Sequence, residues 1–109
     1  MKFTINQIKK DRKTEKEAFD AVVLGKVDPL FFLTAYEEVC EIEADDLDEV
    51  FEIGNIGPEE KIRRFDFAPM HSISVGDVIT DVYQQCWVVK GVGFERLGYS
   101  DCFGEEVAA

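Results

Sequence analysis

Between Glu37 and Glu60 the chain carries eleven carboxylates and no Lys, Arg or His: Glu37, Glu38, Glu41, Glu43, Asp45, Asp46, Asp48, Glu49, Glu52, Glu59 and Glu60. The other twelve acids are balanced by twelve Lys and Arg, so the net charge of −11 belongs to this one stretch. Carboxylates at this density cap a helix, ligate a hard cation, serve solubility as a solvated face or attract a basic partner. The calcium-loop pattern is absent, because Asp45, Asp46 and Asp48 lack the glycine and terminal Glu at the required spacing. Capping and the field of a helix N-terminus account for three acids, not eleven. Recognition explains more. On a strand, Glu41 and Glu43 stand roughly 6.7 Å apart; on a helix, Asp45, Asp48, Glu49 and Glu52 recur about every 5.4 Å turn. Both spacings are on the scale of nucleic-acid phosphates. Uncompensated carboxylates repel one another, so a sequence built for stability alone gains by interspersing Lys.

Other chemistry is thinly supplied. His71 is the single histidine, flanked by Ser72 and Ser74. Residues adjacent in sequence usually point apart, so this reads as a Ser-rich turn and not a nucleophile with its base. Gly91-x-Gly93 lacks the third glycine and following helix of a dinucleotide site. Cys40, Cys86 and Cys102 are odd in number with no C-x-x-C spacing, which reads as free thiols in a reducing cytoplasm. Lys9, Lys10, Arg12, Lys13 and Lys16 form the basic cluster, but Asp11, Glu15 and Glu17 dilute its field, so no direct nucleic-acid contact is expected. No catalytic residue, cofactor or metal is assigned. No apolar stretch approaches the roughly 20 residues of a membrane helix, and MKFTINQIKK is not a signal peptide.

The elements that position these residues follow from periodicity. A length of 109 residues, 46% hydrophobic content and nine Phe fit one domain with its own core. Phe3, Ile5 and Ile8 open a strand. Ala18, Phe19, Val22 and Val23 fall at helical spacing, with Thr14-x-x-Glu17 as a capping box. Phe31 to Ala44 is β-like, but its halves differ in parity, which predicts a bulge near Glu37-Glu38 or a break. Asp45 or Asp46 caps a helix to about Ile53 that buries Leu47, Val50 and Phe51. Residues 59–70 read as a long connection, Ser74-x-x-Asp77 as a turn, and Val78, Ile79 and Val82 lead into a buried strand from Cys86. Phe94 to Tyr99 is a last extended piece, and residues 104–109 fray. The expected fold is a small single α+β domain over residues 1–109, mostly antiparallel sheet with one or two short helices.

Val39-x-x-Ile42-Glu43-Ala44-Asp45-Asp46-Leu47-Asp48-Glu49-Val50-Phe51-Glu52, then Asn55, His71-Ser72-Ile73-Ser74-Val75-Gly76-Asp77-Val78-Ile79 and Trp87-Val88-Val89 through Val92-Gly93-Phe94 together resemble the YodL-like family of small proteins and modules. The similarity spans roughly residues 36–97. It implies an origin in phages or other bacterial mobile elements and an α+β fold, and it carries no catalytic residues.

The expected function is therefore an acidic phage or mobile-element protein that binds and inhibits a bacterial nucleic-acid-handling defence complex, of the restriction or CRISPR type, by DNA mimicry. The eleven acids would face the partner's basic cleft in the host cytoplasm, with Tyr36, Phe65 or Phe67 as desolvated anchors. The alternative is a non-catalytic regulatory adaptor that docks on a host structural or signalling protein through an aromatic surface.

Overall fold

In the computed structural model, which describes residues 1–65 and 69–97, six antiparallel strands form one sheet with helices on both faces. The strands are β1 (Lys2–Ile8), β2 (Tyr36–Glu43), β3 (Ile62–Arg64), β4 (Val78–Thr80), β5 (Cys86–Val89) and β6 (Phe94–Arg96), in the order β3-β2-β1-β4-β5-β6. The helices are α1 (Lys16–Leu24), α2 (Pro29–Ala35) and α3 (Leu47–Ile56). The chain is thus an α+β domain with three α-helices among the described residues, against the one or two expected.

Alternation along the strands divides the core into two layers. Phe3, Ile5, Cys40, Ile42, Ile79 and Val89 pack with Val50 and Ile53 of α3. Ile8, Tyr36, Val78, Cys86 and Val88 face the other way and pack with Ala18 and Ala21 of α1 and Phe31 and Ala35 of α2.

The parity change in β2 is a bulge. Ile5 pairs with Cys40 and Asn6 with Glu38, which leaves Val39 as the extra residue. Val39 and Cys40 consequently both turn toward α3. The irregularity falls one residue beyond the predicted Glu37-Glu38. Its effect is to switch β2 from serving the α1/α2 layer at Tyr36 to serving the α3 layer at Ile42.

Two local expectations change. Phe31 to Ala35 is helical, not extended: Asp28 caps α2 by accepting from the Phe31 amide at 3.0 Å, and Pro29 takes the first turn. The Thr14-x-x-Glu17 capping box does not form, because Glu15 occupies the N-cap of α1 without a side-chain bond. α1 also buries a different face. A Cβ at Gly76 (φ +91) would lie 2.5 Å from the Ala21 carbonyl oxygen, so helix and loop are in backbone contact there. Only Ala18 and Ala21 fit that approach, and Phe19, Val22 and Val23 are turned outward.

The serine-rich segment closes the sheet. Asp77, buried, accepts from the Ser74 amide at 2.9 Å and from Gln7 Nε2 at 3.0 Å, while the Tyr36 hydroxyl donates to the Gly76 carbonyl at 2.5 Å. No described helix is long and apolar enough to cross a membrane.

Candidate functional site

The acid block does not fold into one surface. Cys40 and Ile42 point under α3, so Glu41 and Glu43, which alternate with them, stand on the opposite face of the sheet from the helix acids. There they are neutralised. Arg63 pairs with Glu41 from the facing position on β3, and the N-terminal amine lies 2.7 Å from Glu43. That amine, with Lys2 and Lys61 nearby, holds the Glu43 carboxyl below the usual carboxylate range. The residues expected to form a long connection instead make a 3₁₀ turn at Glu59–Lys61 followed by β3. That hairpin brings Arg64 within 2.6 Å of Glu59, whose carboxyl is likewise lowered.

The acids of α3 behave differently. Asp46 is the N-cap and accepts from the Glu49 amide at 2.8 Å, and Glu49 reaches back to accept from the Asp45 amide at 2.8 Å. This reciprocal arrangement fixes the entry to the helix. Val50 and Ile53 are buried beneath it, and Gly54 lies so close to Ile73 that a Cβ there would sit 2.2 Å from its Cδ1. Asp48, Phe51 and Glu52 are left on the exposed side, Phe51 included although its spacing suggested burial. Among the described residues Asp45, Asp48 and Glu52 make no ion pair, and neither do Glu37 and Glu38 on β2 or Glu60 in the 3₁₀ turn after α3.

A cleft of about 420 Å³ opens at the N-terminus of α3. Phe3, Leu47, Trp87 and Phe94, buried or half-buried, supply its apolar floor; Asp45, Asp46 and Asp48 stand on one rim and Val82 and Tyr83 on the other. Val82 is thus part of a turn and not of the strand that begins at Cys86. Asp81 builds that turn: one carboxylate oxygen accepts from the Tyr83 and Gln85 amides, both at 2.9 Å, and the other from Trp87 Nε1 at 3.1 Å. The Trp87 ring is therefore held in place beside the helix acids.

The expected aromatic anchors lie elsewhere. Tyr36 is 7% exposed and serves the core, so it offers no contact surface. Burial pushes its hydroxyl pKa up, and its ring packs against Phe31 and Phe32. Phe65 is half-buried under the Arg63 guanidinium, 5.0 Å from its ring centre. Phe67 lies outside the described residues. Tyr83 and Trp87 join Phe3 and Phe94 in the cleft beside Asp45 and Asp48, and the sequence signal for them was Asp81 ahead of Tyr83 in a short link between two strands.

His71 is exposed, with Nδ1 2.7 Å from the Ser72 carbonyl oxygen and 3.3 Å from Gln7 Nε2. Among the described residues no serine hydroxyl hydrogen-bonds its ring. Cys40 and Cys86 are buried free thiols, and burial raises the Cys40 thiol to about 12, away from thiolate chemistry at neutral pH. Cys102 lies outside the described residues. Among the described residues no group of three or more His, Cys, Asp or Glu gathers in a metal-holding cluster.

No family model, curated protein or solved structure matches the chain. In the segments Val39–Glu52, His71–Ile79 and Trp87–Phe94, the residues Val39, Ile42, Ala44, Val50, Ile73, Val78, Ile79, Val88 and Val89 are buried and build the two cores. That pattern speaks to how the sheet is assembled, not to what the protein contacts.

Proposed function

We propose that this chain is a non-catalytic binding protein. It sets the exposed acids of α3, with the aromatic cleft at the helix N-terminus, against a basic surface of a partner and blocks that surface by occupancy. The observation that carries this reading is the contrast within the acid block: Glu41, Glu43 and Glu59 are neutralised by the protein's own cations, whereas Asp45, Asp48 and Glu52 are not. A row of like charges left uncompensated costs stability, and a cationic partner relieves that cost. Charge speeds encounter and the aromatic cleft supplies the desolvated contact. The favoured partner is a bacterial protein whose basic cleft handles nucleic acid, such as a restriction or CRISPR effector, met in the host cytoplasm, with the helix acids taking the place of phosphates.

A regulatory adaptor is the second reading, favoured by the apolar floor of the cleft and by Tyr83, which is 75% exposed. Salt separates the two. Capture of nucleic-acid-handling proteins from nuclease-treated bacterial lysate at low salt, with release at high salt, fits occupancy of a basic cleft. Salt-resistant capture of a structural or signalling protein fits the adaptor.

A further inference from the structure

α1 covers one face of the sheet with Ala18 and Ala21 and α2 with Phe31 and Ala35, and both helices leave other large apolar side chains outside. Phe19, Val22, Val23 and Leu24 of α1 and Leu30 and Leu33 of α2 are each between 47% and 72% exposed. Phe19, Val22 and Val23 follow the i, i+3, i+4 rule and share one side of α1; Leu30 and Leu33 share one side of α2. Both helices pack on the same half of the sheet through Ala18, Ala21, Phe31 and Ala35, and only residues 25–28 separate them. Together these six side chains expose on the order of 600 Å² on each copy, at the upper end of what a monomer leaves open.

We propose that this face is closed by a second copy of the chain, giving a two-fold dimer. Complete burial of these side chains on both copies would remove at most about 1,200 Å² from water, the lower edge of the range for specific interfaces. The local charge permits self-association. Residues 9–28 hold six cations (Lys9, Lys10, Arg12, Lys13, Lys16, Lys26) against five acids (Asp11, Glu15, Glu17, Asp20, Asp28), so this part of the chain is nearly neutral although the whole carries −11. A two-fold axis sets a surface against itself, and a rim of mixed sign can pair with its own image where a single-sign rim is repelled. The α3 acids lie across the sheet, so the dimer keeps the two charged surfaces apart and directs both outward. A basic partner of the kind proposed for α3 has no acidic complement to find here. Presentation of two acid faces also raises avidity for a partner with repeated sites.

Sedimentation velocity of the full chain from micromolar concentration upward tests this, alongside two surface variants, Phe19→Glu/Val23→Glu and Leu30→Lys/Leu33→Lys, each checked for native circular dichroism. The expected result is a wild-type species of twice the 12.4 kDa chain mass that becomes monomeric in each folded variant. A wild-type chain that stays monomeric across the range overturns the proposal and leaves the face to a different occupant. A dimer that persists undiminished in a folded variant overturns it equally. Neither result bears on the α3 surface, which none of these substitutions touches.

Discussion

Arg63 lies opposite Glu41 on the neighbouring strand and closes an ion pair with it across the β2–β3 ladder. This pairing divides the acid block. The hairpin after α3 carries Arg63 and Arg64 back to the strand half of the block, and Glu41 and Glu59 become part of a balanced surface. The helix half receives no such cation among the described residues, so the field that survives folding is narrower than the field written in the sequence. Exposed pairs of this kind contribute little stability. Their importance is that they remove Glu41 and Glu59 from the block and leave the α3 acids, with Glu37, Glu38 and Glu60, uncompensated among the described residues.

The reciprocal bonds of Asp46 and Glu49 set where α3 begins and hence where Asp45 and Asp48 stand. Asp46→Ala should destabilise the protein by about 1 kcal/mol, with a range of roughly 0.5–2 kcal/mol for lost N-caps. Urea denaturation with an unchanged m-value is the check. Asp46→Asn should recover most of the loss, because the amide oxygen also accepts from the Glu49 amide.

Gly54 shows how closely α3 rests on the sheet. Helix propensity alone makes Gly→Ala favourable by up to about 1 kcal/mol. Here a Cβ would lie 2.2 Å from Cδ1 and 2.7 Å from Cγ1 of the buried Ile73. Overpacking of this kind costs roughly 1–3 kcal/mol, so Gly54→Ala should lower the melting temperature and not raise it. Combining it with Ile73→Val should restore part of the loss, a coupling that a double-mutant cycle reads directly.

Asp77 gives the pH dependence its sign. Its side chain is buried, and burial pushes the carboxyl up to about 6, against the pull of the Ser74 amide, His71 and Gln7. The unfolded carboxyl titrates near about 4. Between those values the folded chain holds a proton that the unfolded chain releases. Its stabilising contribution is therefore full below about pH 4 and is lost as pH rises through about 6, a change on the order of 3 kcal/mol. Unfolding free energy measured across this window should fall more steeply with rising pH in the wild type than in Asp77→Asn. Equal slopes would show that the carboxyl is not raised. Repulsion among the exposed acids acts with the same sign in both proteins and cancels in the comparison.

Much of this architecture was legible in the residues. The parity mismatch across Phe31 to Ala44 pointed to a bulge or a break, and β2 carries the bulge at Val39; the cap of α3, expected at Asp45 or Asp46, is Asp46. α2 was hidden because the apolar run Phe31-Phe32-Leu33 merges with the strand that follows; Asp28-Pro29 ahead of it was the helix-start signal. The buried face of α1 was misjudged because helical spacing shows which residues share a side and not how near the helix approaches its neighbour. The close contact at Gly76 admits alanine and turns Phe19 outward. The site was legible as charge but not as geometry. No local pattern reports that a bulge and a hairpin will bring Arg63 to Glu41, or that Asp81 will hold Trp87 beside the helix acids.

The most direct test of the α3 surface is capture from nuclease-treated bacterial lysate, at low and high salt, by the wild-type chain and by Asp45→Lys/Asp48→Lys/Glu52→Lys. Glu60→Lys serves as a control from the same acid stretch but off the helix. The wild type and the control should retain a nucleic-acid-handling protein at low salt and release it at high salt. The triple variant, folded by circular dichroism, should retain at least tenfold less. Equal retention by the folded triple variant would contradict the assignment of α3 as the working surface.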